Sequence, residues 1–392
     1  MVRPTSSPHP ESRPMSSSRL HALAAAGTST WLDYIDRGML DAGSLAARIR
    51  DEALAGMTSN PSIFEKALEG KAYDGAIRSA GDLAPRALFE QLATRDVRDA
   101  CDQFAGVYAA TDGVDGYVSI EVSPDLANDA AGTIEEARRL WATIDRPNVM
   151  IKVPGTDAGA IAVRTLIAEG INVNVTLLFA VEAHARVIAA YIAGLEERAA
   201  RGQSIARVAS VASFFVSRVD SEVDKRLDGR MVAAADAPAR ERLAALKGAA
   251  AIANARLAYA LFQREFAGPR WAALVAKGAR VQRPLWASTS TKNPSYRDVM
   301  YVEQLAGPHT VNTMPPATLD AFRDHGESAD TLSGTEASAR ETIAALDREG
   351  IAMEEVTEKL LTEGLAAFVK SFETLLAGLA RKMAATPVGA GR

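Results

Sequence analysis

Eight short runs with strand character recur along the chain, and between most of them the sequence carries helical periodicity rather than hairpin turns. The runs lie near Thr30–Ile35, Gly56–Ser59, Gly116–Ser123, Val149–Pro154, Ile171–Leu178, Val208–Phe214, Pro284–Ser288 and His309–Thr313. Strands that alternate with helices predict parallel βαβ units. Eight such units are the number that closes a barrel. After Val149–Pro154, Thr156 is placed as an N-cap, Asp157 in the first turn and Gly170 as the stop. After the next strand, Val187, Ile188, Tyr191, Ile192 and Leu195 form one stripe, and later Val219, Val223 and Leu227 sit four apart. The spacing is uneven, with room for extra helices from Asn60 to Gly116 and from Asp220 to Arg283. Ile252, Ala255, Tyr259, Phe262 and Phe266 mark one of them. Met353 to Met383 reads as a long amphipathic helix with no strand after it, so it should pack across the barrel or against a partner subunit. The expected fold class is α/β: a (β/α)8 TIM barrel with additional helices and a long C-terminal helix. Residues 20–384 are expected to form this single domain, between tails at 1–19 and 385–392.

Composition narrows the function. With 392 residues, 48% hydrophobic and 24% charged, the chain is neither globally disordered nor collagen-like. A single cysteine, Cys101, excludes an intramolecular disulfide and a cysteine-based zinc site. The net charge of −5, with no long basic block, argues against nucleic acid as a partner. No stretch reaches the roughly 18 consecutive apolar residues of a membrane span. Met1 to Arg19 is rich in Ser, Pro and Arg without a legible amphipathic helix, and reads as a tail. A cytoplasmic protein is expected.

Polar residues fall on one face of three consecutive strands. In Val118–Ser123 the odd positions are polar, in Asn172–Leu177 the even ones, and Lys152 shares a face with Met150. Alternation alone favours an antiparallel sheet with one wet face. The intervening helices favour the other arrangement, with apolar faces under helices and Lys152, Glu121, Asn174 and Thr176 converging inside a barrel near its C-terminal rim. Active sites of such barrels lie there. A structural ion pair is the alternative for Lys152 and a carboxylate, but such a cluster is costly to bury without a use.

None of His9, His21, His184, His309 and His325 is paired at metal-ligand spacing, although an all-carboxylate magnesium site stays open. No phosphate loop or dinucleotide fingerprint is present, and no cofactor is expected. Burial disfavours an ammonium, so a lysine in an apolar-walled barrel spends more time as free amine. That amine can attack a ketone to give an iminium, an electron sink for breaking an adjacent C–C bond. Asp33 and Glu121 are candidates for moving protons. Trp31, Trp141, Trp271 and Trp286 read as core or rim packing, with substrate contact an alternative for Trp286, which is placed near the mouth. Cys101 reads as a small buried hydrophobe, and Glu135-Glu136 and Glu354-Glu355 as solvated helix faces.

Gly56-Met57-Thr58-Ser59-Asn60-Pro61-Ser62-Ile63-Phe64 and the run Val149 to Thr156 resemble the two signature regions of the transaldolase family. Gly170 to Phe179, Ser213 to Arg218 and Trp286 to Pro294 are similar to further motifs of that family, so the resemblance covers nearly the whole chain. It implies a Schiff-base enzyme of the non-oxidative pentose phosphate pathway that moves a dihydroxyacetone unit between sugar phosphates. Carried over by motif, Lys152 is the iminium-forming nucleophile and Asp33 the proton shuttle, while Glu121 and Thr176 hold a water. Asn60, Asn174 and Ser213 are implied to contact the dihydroxyacetone unit. Arg218, Ser288 and Lys292 are the candidates for gripping phosphate. The family often reads Ser-Pro-Phe-Val-Gly-Arg where this chain has Ser213-Phe214-Phe215-Val216-Ser217-Arg218, and often carries an Arg where Lys292 follows Ser288. Related fructose 6-phosphate aldolases carry Tyr in place of Phe215 and Gln in place of Glu121, so the resemblance implies transfer rather than simple aldol cleavage. An aldolase releasing free dihydroxyacetone, and a sugar-phosphate-binding barrel without catalysis, are the competing readings. Sugar phosphates are the expected partners, with a homodimer through the terminal helix as an option.

Overall fold

A computed structural model describes residues 18–385. The expected tails fall almost entirely outside the described residues. Ser18 caps the first helix, Arg19–Ala25, and Ala385 closes the last.

Eight strands form a closed, all-parallel barrel in chain order. They are β1 (Thr28–Asp33), β2 (Leu54–Thr58), β3 (Tyr117–Glu121), β4 (Val149–Pro154), β5 (Val173–Leu178), β6 (Ser210–Phe215), β7 (Arg283–Ala287) and β8 (Thr310–Met314). This is the expected (β/α)8 barrel. Helices Pro61–Glu69, Asp74–Arg78 and Pro85–Ala110 fill the long stretch before β3, and three more occupy the stretch before β7.

Local chemistry explains the elements. The helix Asp157–Glu169 starts where the Thr156 hydroxyl accepts from the Gly159 amide and ends where Gly170 takes φ +89°. It buries Ala162, Val163, Leu166 and Ile167 against the barrel and leaves Ile161 60% exposed. The stripe Val187, Ile188, Tyr191, Ile192 and Leu195 is buried along Val181–Ala200.

The barrel interior is filled rather than open. Trp31, fully buried, stands opposite Gly56 in the β1–β2 register. A Cβ at residue 56 would lie 2.5 Å from the indole, so only glycine leaves room for that ring. Below it Arg283 pairs with Asp115 at 2.8 Å and donates to Ser29. The floor is therefore a tryptophan resting on an ion pair, and the upper half of the interior is left for polar side chains.

The terminal helix Met353–Ala385 packs across its own barrel. Phe372 meets Phe89 edge-on at 5.6 Å, and Ser371 shares a hydrogen bond with Ser62 at 2.8 Å. Among the described residues no helix is long and apolar enough to cross a membrane.

Candidate active site

Asp33 and Glu121 are the last residues of β1 and β3, and Lys152 and Thr176 sit near the ends of β4 and β5. Parallel register sets them side by side: Asp33 faces Thr58, Glu121 faces Lys152, Lys152 faces Asn174, and Pro154 faces Thr176. A cavity of about 180 Å3 opens at this rim. Of the residues singled out from the sequence, Asp33, Asn60, Lys152, Thr176, Ser213, Phe215, Arg218, Ser288 and Lys292 line it. A larger cavity of about 500 Å3 lies between outer helices at Phe179, Arg186, Asn254 and Met353, and none of these strand-end polar residues borders it.

Lys152 is only 4% exposed. Its Nζ donates to the Ser59 carbonyl at 3.1 Å and lies 3.5 Å from Glu121 Oε2. Asp33 accepts from the Thr58 hydroxyl at 2.6 Å, and Thr58 shares a further hydrogen bond with Thr313 at 2.6 Å. Burial pushes the Asp33 carboxyl above its ordinary range, while the Lys152 charge and the Thr58 hydroxyl pull it back. Burial likewise pushes the Glu121 carboxyl up to about 7, against the pull of Lys152, with the charge of Asp33 adding to the rise. Among the described residues neither Glu121 oxygen nor the Thr176 hydroxyl finds a hydrogen-bond partner, although all three atoms are buried. Such a set is costly unless a ligand or reacting group is hydrogen-bonded there.

A stability prediction follows from Glu121. Between its ordinary value of 4.5 and about 7, the folded protein keeps a proton that the unfolded chain has released. The stability tied to this group is complete below pH 4.5 and is lost as pH rises through 7. Glu121→Gln, with no proton to lose, should gain on the parent by on the order of 3 kcal/mol between pH 4.5 and pH 8. Urea unfolding of both proteins across that range checks it. A difference that stays constant with pH contradicts the assignment.

At the outer end of the cavity the half-buried Arg218 guanidinium lies over the Phe215 ring, 5.4 Å from its centroid. Among the described residues no carboxylate comes within ion-pair distance of it. Lys292 is exposed and donates to Ser290 at 2.7 Å. Although much of its side chain meets solvent, partial desolvation against the cavity wall and the nearby charges of Arg218 and Lys66 hold its ammonium below the ordinary lysine value. Arg218 and Lys292, with the serine hydroxyls of Ser288 and Ser290, line the same cavity as the buried amine and make that part of its wall attractive to anions, with Glu363 the acidic side chain whose charge acts on Arg218.

A family model described as transaldolase/fructose-6-phosphate aldolase matches residues 30–379. The chain belongs to that family. A protein named transaldolase from Thermobifida fusca is 49% identical, over 94% of this chain and 99% of its own length. Transaldolases of Acidothermus cellulolyticus and Trichodesmium erythraeum are 50% and 46% identical, over 93% and 94% of this chain and 96% and 98% of their own lengths.

Within the transaldolase frame, not every residue singled out from the sequence lines the main cavity. Asn174 is fully buried and off the cavity wall; its amide donates to Ser119 at 3.0 Å and accepts from Ser213 at 2.6 Å. Glu121 borders an adjoining cavity, between Phe64, Phe89 and Glu136, rather than the main one. Trp286 does not reach the mouth. Its neighbour Ala287 lines the cavity, so Trp286 faces the helices, fully buried and edge-on to Phe214. Glu136 is not a plain solvated acid, because it accepts from both the amide and hydroxyl of Ser123 at the end of β3. Cys101 is buried in the helix Pro85–Ala110, as read from the sequence.

The sequence reading missed Thr58, Thr313, Ser62, Ser290 and Phe368 on the cavity wall. Thr58 and Thr313 were discoverable, since both end or nearly end a strand on the inward face. Phe368 was not, because its helix reaches the site only through tertiary packing.

Proposed function

We propose that this chain transfers a dihydroxyacetone unit from sedoheptulose 7-phosphate to glyceraldehyde 3-phosphate, giving erythrose 4-phosphate and fructose 6-phosphate. The observation that carries this reading is the Lys152 amine: buried, 3.5 Å from Glu121, and on the same cavity wall as Asp33. In this reading Lys152 Nζ adds to the ketose carbonyl, and loss of water leaves an iminium. Glu121 and Thr176 hold that water, consistent with their unpartnered oxygens. Asp33 takes the proton of the hydroxyl on the far side of the bond that breaks, the electron pair of that bond flows into the iminium, and the aldose leaves. Its raised affinity for a proton suits a base that must hand the proton back to the acceptor aldehyde.

Arg218, Lys292 and Ser288 hold the phosphate, and binding there anchors the reacting carbons over Lys152. Asn60 caps the helix Pro61–Glu69 through its side-chain oxygen, which fixes the amide on the cavity wall where the dihydroxyacetone hydroxyls lie. Ser213 lines the same cavity and donates to Asn174 at 2.6 Å. Phe215 brings no hydroxyl to orient a hydrolytic water, which favours transfer to an aldose over release of free dihydroxyacetone. We place the protein in the cytoplasm, where a single buried thiol and no disulfide suit a reducing environment.

Borohydride reduction in the presence of fructose 6-phosphate is expected to leave a three-carbon adduct on Lys152, read by peptide mass. A metal-free coupled assay with sedoheptulose 7-phosphate and glyceraldehyde 3-phosphate should turn over. No adduct and no turnover would end this reading; accumulation of dihydroxyacetone without an acceptor would replace transfer by aldol cleavage.

A further inference from the structure

Lys292 and Arg218 come from different elements, and something must set the distance between them. Arg218 lies in the first turn of the helix Ser217–Ala233, and Lys292 lies in the segment 288–299 that follows β7. Near its start that segment is held at the rim, where the Ser217 amide donates to the Ser288 carbonyl at 3.1 Å and the two serine hydroxyls lie 2.9 Å apart. Tyr296 in that segment, and Tyr301 in the short helix Met300–Gln304 just beyond it, tie to the same helix. Tyr296 donates to Asp224 Oδ2 at 2.5 Å and Tyr301 to Asp220 Oδ2 at 2.8 Å.

Asp220 and Asp224 are one helical turn apart on a buried face, 1% and 8% exposed. Each divides its carboxylate in the same way. The oxygen not taken by a tyrosine accepts a backbone amide, from Ala251 at 2.8 Å and from Gly248 at 3.0 Å. The Tyr296 ring also rests on Gly248, where a Cβ would fall 2.8 Å from the ring carbon that bears the hydroxyl. Tyr301 is a buried core residue, but Tyr296 is only half-buried and reaches the helix through its hydroxyl.

We infer that Tyr296, through Asp224, is a positioning residue that holds the Lys292 segment over Arg218 and so sets the phosphate grip of the site. This inference rests on the reading of Arg218 and Lys292 as phosphate ligands. Tyr296 does not touch the reacting carbons, so its loss should weaken the phosphate end alone.

The test compares the parent, Tyr296→Phe and Asp224→Asn. Binding of inorganic phosphate by calorimetry should weaken about tenfold in Tyr296→Phe, and KM for fructose 6-phosphate should rise by a similar factor. The saturated rate, and borohydride trapping of unphosphorylated dihydroxyacetone on Lys152, should stay within about twofold. Asp224→Asn keeps one oxygen to accept from the Gly248 amide and gains an NH2 that can donate to the Tyr296 oxygen, so it retains a tie and should lie nearer the parent. Unchanged phosphate binding in Tyr296→Phe overturns the inference. So does an equal loss of phosphate binding and dihydroxyacetone trapping with a lowered melting temperature, which marks a purely structural role. A parent protein that binds phosphate but traps no ketose would refute the Schiff-base reading instead, and the phosphate measurement would still decide the role of Tyr296.

Discussion

Lys152→Met is expected to lower the transfer rate by roughly 10⁵-fold and to abolish borohydride trapping, while the barrel stays folded. Methionine keeps the length and apolar bulk of the side chain but has no nucleophile. Among the described residues the other lysine lining the cavity is Lys292, which is exposed and lies in the segment after β7. The substitution also takes away the cation facing Glu121. Removing one partner of a buried pair usually costs several kcal/mol, because the remaining charge is stranded. Here Glu121 has a way out: burial already lifts its carboxyl to about 7, and without Lys152 it will hold a proton more firmly. The variant should therefore lose little stability at pH 6. Steady-state rates, adduct mass and urea unfolding at pH 6 check the three parts. Parent-level transfer by Lys152→Met would end the iminium mechanism.

Gly159→Ala should destabilise the fold by about 3 kcal/mol or more. Gly159 is buried in the first turn of the helix after β4, and an added Cβ would sit 1.8 Å from the Pro154 carbonyl oxygen. That atom belongs to the backbone of the strand, so no side-chain rotation relieves the clash. The helix must lift away, which breaks the cap from the Gly159 amide to the Thr156 hydroxyl at 3.0 Å. Thr156 in turn donates to the Ala127 carbonyl at 2.5 Å, so the strain reaches the turn after β3. Pro154 is two residues beyond Lys152 on the same strand, and activity should fall with stability. Gly229→Ala is the internal control. It is an exposed position within the helix Ser217–Ala233 where an added Cβ meets nothing within 4 Å, and alanine there should stabilise by about 0.5–1 kcal/mol. Chemical denaturation of both variants decides it; a Gly159→Ala protein as stable as its parent would refute the packing argument.

Much of the frame was legible before any coordinates. β4 runs from Val149 to Pro154 as expected, and the inward placement of Lys152 followed from alternation combined with the helices on either side. β1 runs from Thr28 to Asp33 instead of Thr30 to Ile35, because its pairing with β8 begins at Thr28. Alternation assigns faces well and ends poorly, since the ends are set by partners far along the chain. Asn174 and Trp286 show what tertiary structure adds to alternation: one is held within the interior by Ser119 and Ser213, and the other is turned toward the helices as packing.

What the chain's own sequence determined is the order of strands and helices and which side of each strand is polar. Those are local properties, carried by periods of two and 3.6 residues that any short segment displays by itself. Closure of the barrel decided the rest. It brought Glu121 to Lys152, set Phe368 from the terminal helix on the cavity wall, and stacked Arg218 on Phe215 near Lys292. These contacts depend on how distant segments share a confined volume, and no single segment carries that information.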